Sequence, residues 1–207
     1  MDRIEDIKKE REVVLVQILY LYIIPILLLY FGVVSQDLRV LILLVVAILL
    51  FGIVKHAKWS YSDMGIYKNY MKDIVPYSLL TFGAVLFLIW LAQIVPHEPF
   101  LNWWKNLKFL LLFIPISVLQ EIVFRGILMN MLERVFKSPI FIITLNASVF
   151  AFMHVIYLNY MFILPMTFIA GVAFAWMYYK YKNLILISIS HTVLNFVAMI
   201  LGFFVIR

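Results

Sequence analysis

The sequence predicts an all-α fold: a polytopic transmembrane helical bundle of about seven spans, forming a single integral membrane domain over residues 1–207. Three observations predict it. Hydrophobic residues make up 66% of the chain and charged residues only 14%, against about 25% charged in ordinary soluble domains. Mean hydropathy is +1.04. Apolar stretches also recur at lengths near the roughly 20 residues that cross a bilayer as a helix, and no polar segment between them is long enough for a second domain.

The elements follow in order. Residues 1–12 mix both charge signs, and no small-residue cleavage site follows the apolar run behind them. That pattern reads as a cytoplasmic amphipathic segment entering a retained span, not as a signal peptide. Spans are expected at residues 13–34, 40–54, 74–95, 107–131, 139–157, 161–179 and 184–206. Six to eight fit, because the second stretch is short and the fourth long. Pro25, Pro76, Pro115 and Pro165 interrupt spans, and Pro115 leaves the carbonyl of Leu111 without its usual partner, so a bend is expected there. The longest connection, residues 55–73, reads as a solvated loop, with a surface gate as the alternative.

Loop charge sets an orientation. Arg3, Lys8, Lys9, Arg11, Lys55, Lys58, Lys68, Lys72, Arg134, Lys137, Lys180 and Lys182 fall on one side, and Arg39, Lys105, Lys108 and Arg207 on the other. The positive-inside rule then places the N-terminus in the cytoplasm and the C-terminus outside, in a prokaryotic plasma membrane or an ER-type membrane. Trp103 and Trp104 at the outer end of the fourth span, and Tyr178, Tyr179 and Tyr181 at the inner end of the sixth, fit interfacial belts. The net charge of +6 is scattered among loops, so no nucleic-acid partner is expected. Without cysteine there is no disulfide, thiol nucleophile or thiolate metal site.

Three polar pairs interrupt the hydrocarbon stretches: Glu121 with Arg125 (preceded by Gln120), Phe150 with His154, and His191 with Asn195. Intramembrane ionisable groups cost roughly 2.5–3.5 kcal/mol each on insertion scales and face a bundle interior. Residues four apart share a helix face. Ser117, Glu121 and Arg125 form one stripe, with Gln120 about 100° around the helix from Glu121; Asn146, Phe150 and His154 form a second, and Ser188, His191 and Asn195 a third. Counting about 1.5 Å per residue, Gln120 and His154 lie about 20 Å from the cytoplasmic end and His191 about 10 Å, which suggests a cavity opening toward the cytoplasm.

A Glu–Arg pair by itself is a structural ion pair, and a lone membrane histidine is an interhelical hydrogen-bonder. Two histidines, a carboxylate, an amide and a guanidinium together exceed what helix association needs. A carboxylate can take a proton from water while a histidine orients that water or protonates a leaving amine. A second histidine and an asparagine can donate to an oxyanion. That set suffices for peptide hydrolysis without a covalent intermediate. No Gly-x-Ser-x-Gly elbow supports a serine hydrolase, and the last span has no lysine for a retinal Schiff base. A zinc site from Glu121, His154 and His191 is possible arithmetically, but the His-Glu-x-x-His pattern is missing and neither metal nor cofactor is expected.

These residues resemble the CPBP (Abi) family of intramembrane proteases, which includes the type II CAAX prenyl endopeptidases, the Ras-converting enzymes. The family pattern is Glu-Glu-x-x-x-Arg, Phe-x-x-x-His and His-x-x-x-Asn/Asp on separate spans. This chain reads Gln120-Glu121-Ile-Val-Phe-Arg125, Phe150-Ala-Phe-Met-His154 and His191-Thr-Val-Leu-Asn195. Residues 63–66 and 171–190 also look like the family, so the resemblance covers roughly the latter two thirds of the chain. It implies a metal-independent glutamate protease acting on lipidated peptide or protein C-termini in membrane lipid. The first glutamate and the histidine of the second motif would activate water; His191 and Asn195 would support the oxyanion.

One position departs from that pattern. Where the family has its first glutamate, this chain has Gln120, and a carboxamide cannot take a proton from water near pH 7. Hydrolysis is therefore expected to be very slow or absent. Three explanations stand open: a change made to hold an enzyme inactive, a naturally non-catalytic member, or Glu121 acting in its place. The alternative functions are a non-catalytic membrane protein that binds peptide or lipid, of bacteriocin-immunity or scaffold type, and a proton-coupled transporter.

Overall fold

A computed structural model describes residues 2–95 and 97–204, the side chains of residues 2–7 excepted. Met1 and Arg207 of the expected topology, and residues 205–206 of the expected last span, lie outside the described residues. Among the described residues there are helices and no strand. Six helical stretches are long and apolar enough to cross a membrane: Lys8–Tyr30, Gln36–His56, Tyr70–Leu91, Leu107–Val135, Pro139–Ile156 and Tyr160–Tyr181. A shorter apolar helix, Leu184–Ile200, brings the bundle to the expected seven.

The first span begins as α1 (Asp2–Ile18), passes through a wide π turn at Leu19–Ile23, and continues as α2 (Ile24–Tyr30). The segment expected as a surface helix is thus continuous with the span. The wide turn precedes Pro25, which has no N–H to offer the carbonyl of Leu21. The second span is α3 (Arg39–His56) and the third α4 (Ile74–Leu91). The fourth is a composite of α5 (Leu107–Glu121), an eight-residue π stretch (Ile122–Met129) and α6 (Asn130–Val135). Then come α7 (Pro139–Phe152) with a 3₁₀ turn at Met153–Ile156, α8 (Tyr160–Tyr181) and α9 (Leu184–Ile200). The helix runs on through Pro115, and the irregularity comes seven residues later, in the π stretch.

Alternation of direction puts residues 57–73, 136–138 and 182–183 on the face from which α1 enters, and residues 31–38, 92–106 and 157–159 on the opposite face. The core lies around the fourth span, where residues 123–132 are all buried. Helix α7 packs on α8, and α9 packs on α4 and α5. The α7–α8 approach is close: a Cβ on Gly171 would sit 3.2 Å from Ala147 Cα and 3.1 Å from Phe150 Cδ1, the small-residue contact that lets membrane helices touch backbones. Outward faces carry large apolar side chains such as Leu44, Ile48, Phe82 and Trp90. A lipid surround is the environment those faces require, and the protein is an integral membrane protein.

One expectation is extended and another changes. The connection after α3 is exposed over most of its length, as expected of a solvated loop, and it is also tied to the turn between α8 and α9. Tyr67 donates to the carbonyl of Tyr181 at 2.8 Å. Asn183 donates to the carbonyl of Tyr70 at 2.6 Å and to Asp73 at 3.1 Å, and Leu184 N–H donates to the carbonyl of Gly65 at 2.9 Å. Burial and neighbouring Asp73 push the Tyr67 hydroxyl up to about 12. The aromatic belts are also only partly real. Trp104 is exposed, but Trp103 sits edge-on to Phe196, centroids 4.9 Å apart. Tyr178 is fully buried, facing the bundle and not the interface.

Gly65 has φ +74°, and a Cβ there would lie 2.5 Å from the Lys182 carbonyl oxygen. Gly65→Ala is therefore expected to destabilise the protein by about 1–3 kcal/mol, read as a lowered unfolding midpoint in detergent. Gly52→Ala, where a Cβ meets nothing within 4 Å, is the control and should leave that midpoint unchanged or higher.

Candidate active site

The π stretch sets the geometry of the site. A π turn places i→i+5 bonds in a helix and marks functional positions more often than chance. Its carbonyls are met by side chains from other elements. Tyr22 Oη donates to the carbonyl of Val123 at 2.9 Å, Asn146 Nδ2 to Phe124 at 2.8 Å and Asn130 Nδ2 to Gly126 at 2.6 Å. Gln120 and Glu121 are the last two residues of α5 before this stretch, and they part company.

Glu121 points into a sealed ionic cluster. Its Oε1 accepts from Arg125 Nη1 at 3.2 Å and from His191 Nδ1 at 2.6 Å. Arg125 Nη2 donates to the carbonyl of Gly171 at 3.3 Å. The guanidinium lies over the ring of Phe150, 4.3 Å from its centroid, and 5.5 Å from that of Phe174. Glu121 and Arg125 are fully buried and His191 nearly so. Glu121 Oε2 and Arg125 Nε have no hydrogen-bond partner. A buried pair of this kind survives because each charge neutralises the other where water cannot.

Gln120 instead lines a cavity of about 520 Å³, together with His154 and Asn195. Glu121, Arg125 and His191 do not line it. Gln120 Nε2 reaches Met153 Sδ at 3.8 Å, while its buried Oε1 has no partner. His154 stands in the 3₁₀ turn after α7, its Nδ1 3.0 Å from the carbonyl of Phe150. Asn195 Nδ2 donates to Ser117 Oγ at 2.9 Å, and that hydroxyl donates onward to the carbonyl of Phe113 at 2.8 Å. The rest of the wall is largely apolar, drawn from the first and second spans and from α5.

The sequence places three polar pairs at one point; the structure divides them into two groups. Phe150 is the partition. Its ring centroid is 5.1 Å from that of His154, on the cavity side, and 5.5 Å from that of His191, on the sealed side. Of Asn146, Phe150 and His154, the last two stay in contact, while Asn146 bonds the carbonyl of Phe124. Ser117 and Glu121 diverge, one to the cavity and the other to the cluster. Glu121, His154 and His191 do not assemble as a metal site: among the described residues no group of three His, Cys, Asp or Glu comes together.

The cavity also runs the other way from expectation. Its wall extends from mid-bundle to Asp37, Arg39, Phe100, Asn106 and Lys108. Those residues belong to the face opposite the one carrying Lys55, Lys137 and Lys182. The depth estimate misses this because polar residues mark the inner end of a cavity and not its mouth. Sequence reading passes over Tyr22, and it takes in Met153, Gly171 and Phe174 only as parts of family-like stretches, without a role. Of these only Tyr22, a hydroxyl at mid-span depth away from either interface, carries a signal that points to a structural role.

Residues 102–197 match the family model described as Type II CAAX prenyl endopeptidase Rce1-like. The resemblance carried by the three motifs is thereby borne out over just under half of the chain, and it is with CAAX-type intramembrane proteases at the level of the family. The match begins beyond residues 63–66, which the motif reading had included. No curated protein and no solved structure matches the chain.

Removal of one partner of the sealed pair should leave an uncompensated charge. Arg125→Met is expected to cost about 3–5 kcal/mol of stability, and Glu121→Met combined with Arg125→Met less than that. Unfolding in detergent across the double-mutant cycle checks it. Additive costs would show that the two charges are not coupled.

Proposed function

We propose that this chain carries the site of an intramembrane glutamate-type endopeptidase for lipidated, prenylated CAAX-like peptides, disabled as written by Gln120. The observation that supports it is the meeting of Gln120, His154 and Asn195 on one cavity at the end of α5. A glutamate at position 120 would stand where Gln120 Oε1 now has no partner. Its carboxylate takes a proton from a water held beside His154, and the water oxygen attacks the scissile carbonyl. The proton passes to the leaving nitrogen as the C–N bond breaks, so no covalent intermediate and no metal enters the step.

The oxyanion needs donors. Asn195 keeps one amide hydrogen beyond the one given to Ser117, whereas His191 is committed to Glu121. Asn195 is thus the nearer candidate for that role, and His191 with Arg125 fixes Glu121 as a structural group. This assignment disfavours Glu121 as a substitute base, because both its charge and its Oε1 are already used.

Loop charge supports a cytoplasmic N-terminus, which sets the cavity mouth on the outer face. The argument for a cytosolic substrate then loses its geometric support. That observation favours the second reading, a non-catalytic protein that holds a lipid or lipidated peptide in this cavity. A proton relay gains nothing from the geometry, since Glu121 and His191 are sealed from the cavity that holds His154.

Gln120→Glu is expected to produce cleavage of a fluorogenic farnesylated CAAX peptide, unaffected by a zinc chelator, where the chain as written is silent. Adding His154→Ala should reduce that rate by at least about 10²-fold. Silence from Gln120→Glu, in protein shown to be folded, moves the assignment to the binding reading.

A further inference from the structure

The hydrogen-bonding character of the cavity's inner end is uneven. Gln120 Nε2 is directed to Met153 Sδ and Asn195 Nδ2 to Ser117 Oγ. Because that serine hydroxyl already donates to Phe113, it can only accept from Asn195, which fixes the orientation of the amide. His154 Nδ1 faces the carbonyl of Phe150, so it carries the proton and Nε2 is a lone-pair acceptor. Of what these three residues leave over, the one buried atom without a partner is an acceptor, Oε1 of Gln120, whose residue is 92% buried; Nε2 of His154 is a second acceptor beside it, and a spare amide hydrogen remains on Asn195. An unpaired buried acceptor is costly, and a ligand donor removes that cost.

From this we infer that the cavity binds a single-chain amphiphile whose head is a neutral hydrogen-bond donor, in the simplest case a primary alcohol. The inference rests on the reading of this cavity as the ligand site and adds the chemistry of its occupant. The apolar wall, with Leu21, Pro25, Leu29, Leu43, Phe109 and Phe113, takes the chain. Its volume of about 520 Å³ lies within the range of roughly 300–1,000 Å³ found for small-molecule sites. A carboxylate head is disfavoured because it leaves Oε1 of Gln120 without a donor and sets its own charge against that oxygen, and the cations Arg39 and Lys108 stand at the mouth. An ammonium head is disfavoured because the inner end offers no free carboxylate: Asp37 is at the mouth and Glu121 is held by Arg125 and His191.

The test is displacement of tritiated 1-tetradecanol from the purified full chain by unlabelled 1-tetradecanol, its methyl ether, and myristate. The alcohol should compete about tenfold better than the ether or the acid, as expected for one buried acceptor satisfied or left bare. Gln120→Met, which keeps the length and removes the acceptor, should weaken the alcohol about fivefold and erase its advantage over the ether. Gln120→Glu should keep that advantage, guarding against a folding artefact. Equal competition by alcohol and ether, or an unchanged alcohol affinity in Gln120→Met, would overturn the inference. Neither result depends on peptide cleavage by Gln120→Glu, so the two readings fail separately.

Discussion

A guanidinium with no route to water is the constraint from which the rest of this structure follows. Arg125 is fully buried in the middle of the fourth span, and an isolated charge there would be untenable. Its needs are met from three helices, α5, α7 and α8. Glu121 supplies the counter-charge, the carbonyl of Gly171 on α8 a hydrogen bond, and Phe150 on α7 with Phe174 on α8 the aromatic faces. His191 on α9 then takes up Glu121. These contacts work only if α7 and α8 approach closely, which Ala147 and Gly171 allow. Register among the last four spans is thus set by polar pairing, since lipid gives helices little apolar incentive to associate.

A second consequence concerns Gln120. With Glu121 turned toward α8 and α9, its neighbour must face elsewhere, and the elsewhere is a cavity. The π stretch that follows widens the helix, and its carbonyls are held by Tyr22, Asn130 and Asn146. Adjacent residues therefore do different work: Glu121 belongs to the architecture, Gln120 to the cavity. The residue that departs from the family pattern is thus the one of the two that lines the cavity.

Much of this was legible in the sequence. The seven apolar stretches and the inward turn of the polar pairs follow from hydropathy and spacing, and the family resemblance rests on the residues of the three motifs. What was not legible has identifiable causes. A four-residue spacing brings two residues to neighbouring positions but does not say what each meets: Ser117 and Glu121 in α5, and His191 and Asn195 in α9, share regular helices yet divide between the cavity and the sealed cluster. Tyr178 and Trp103 sit at interfacial depth, but depth does not say which side of a helix a ring occupies. Nothing within the loop after α3 signals the bonds that pin it, which come from Asn183 and the backbone of the turn before α9, more than a hundred residues away. The direction of the cavity depends on where the first two spans stand across it from α5, for which no local pattern exists.

The central claim, that position 120 faces a cavity entered from the end bearing Asp37 and Lys108 while the layer beside it is sealed, has a direct test. The chain contains no cysteine, so single substitutions report without background. Gln120→Cys and Asn195→Cys should react with a small, membrane-impermeant thiol reagent in sealed vesicles, and only from that face. Ala147→Cys, in the closed contact between α7 and α8, should stay unreacted until the protein is denatured. Labelling of Gln120→Cys no faster than Ala147→Cys, or labelling from the face that carries Lys55 and Lys182, would contradict the account.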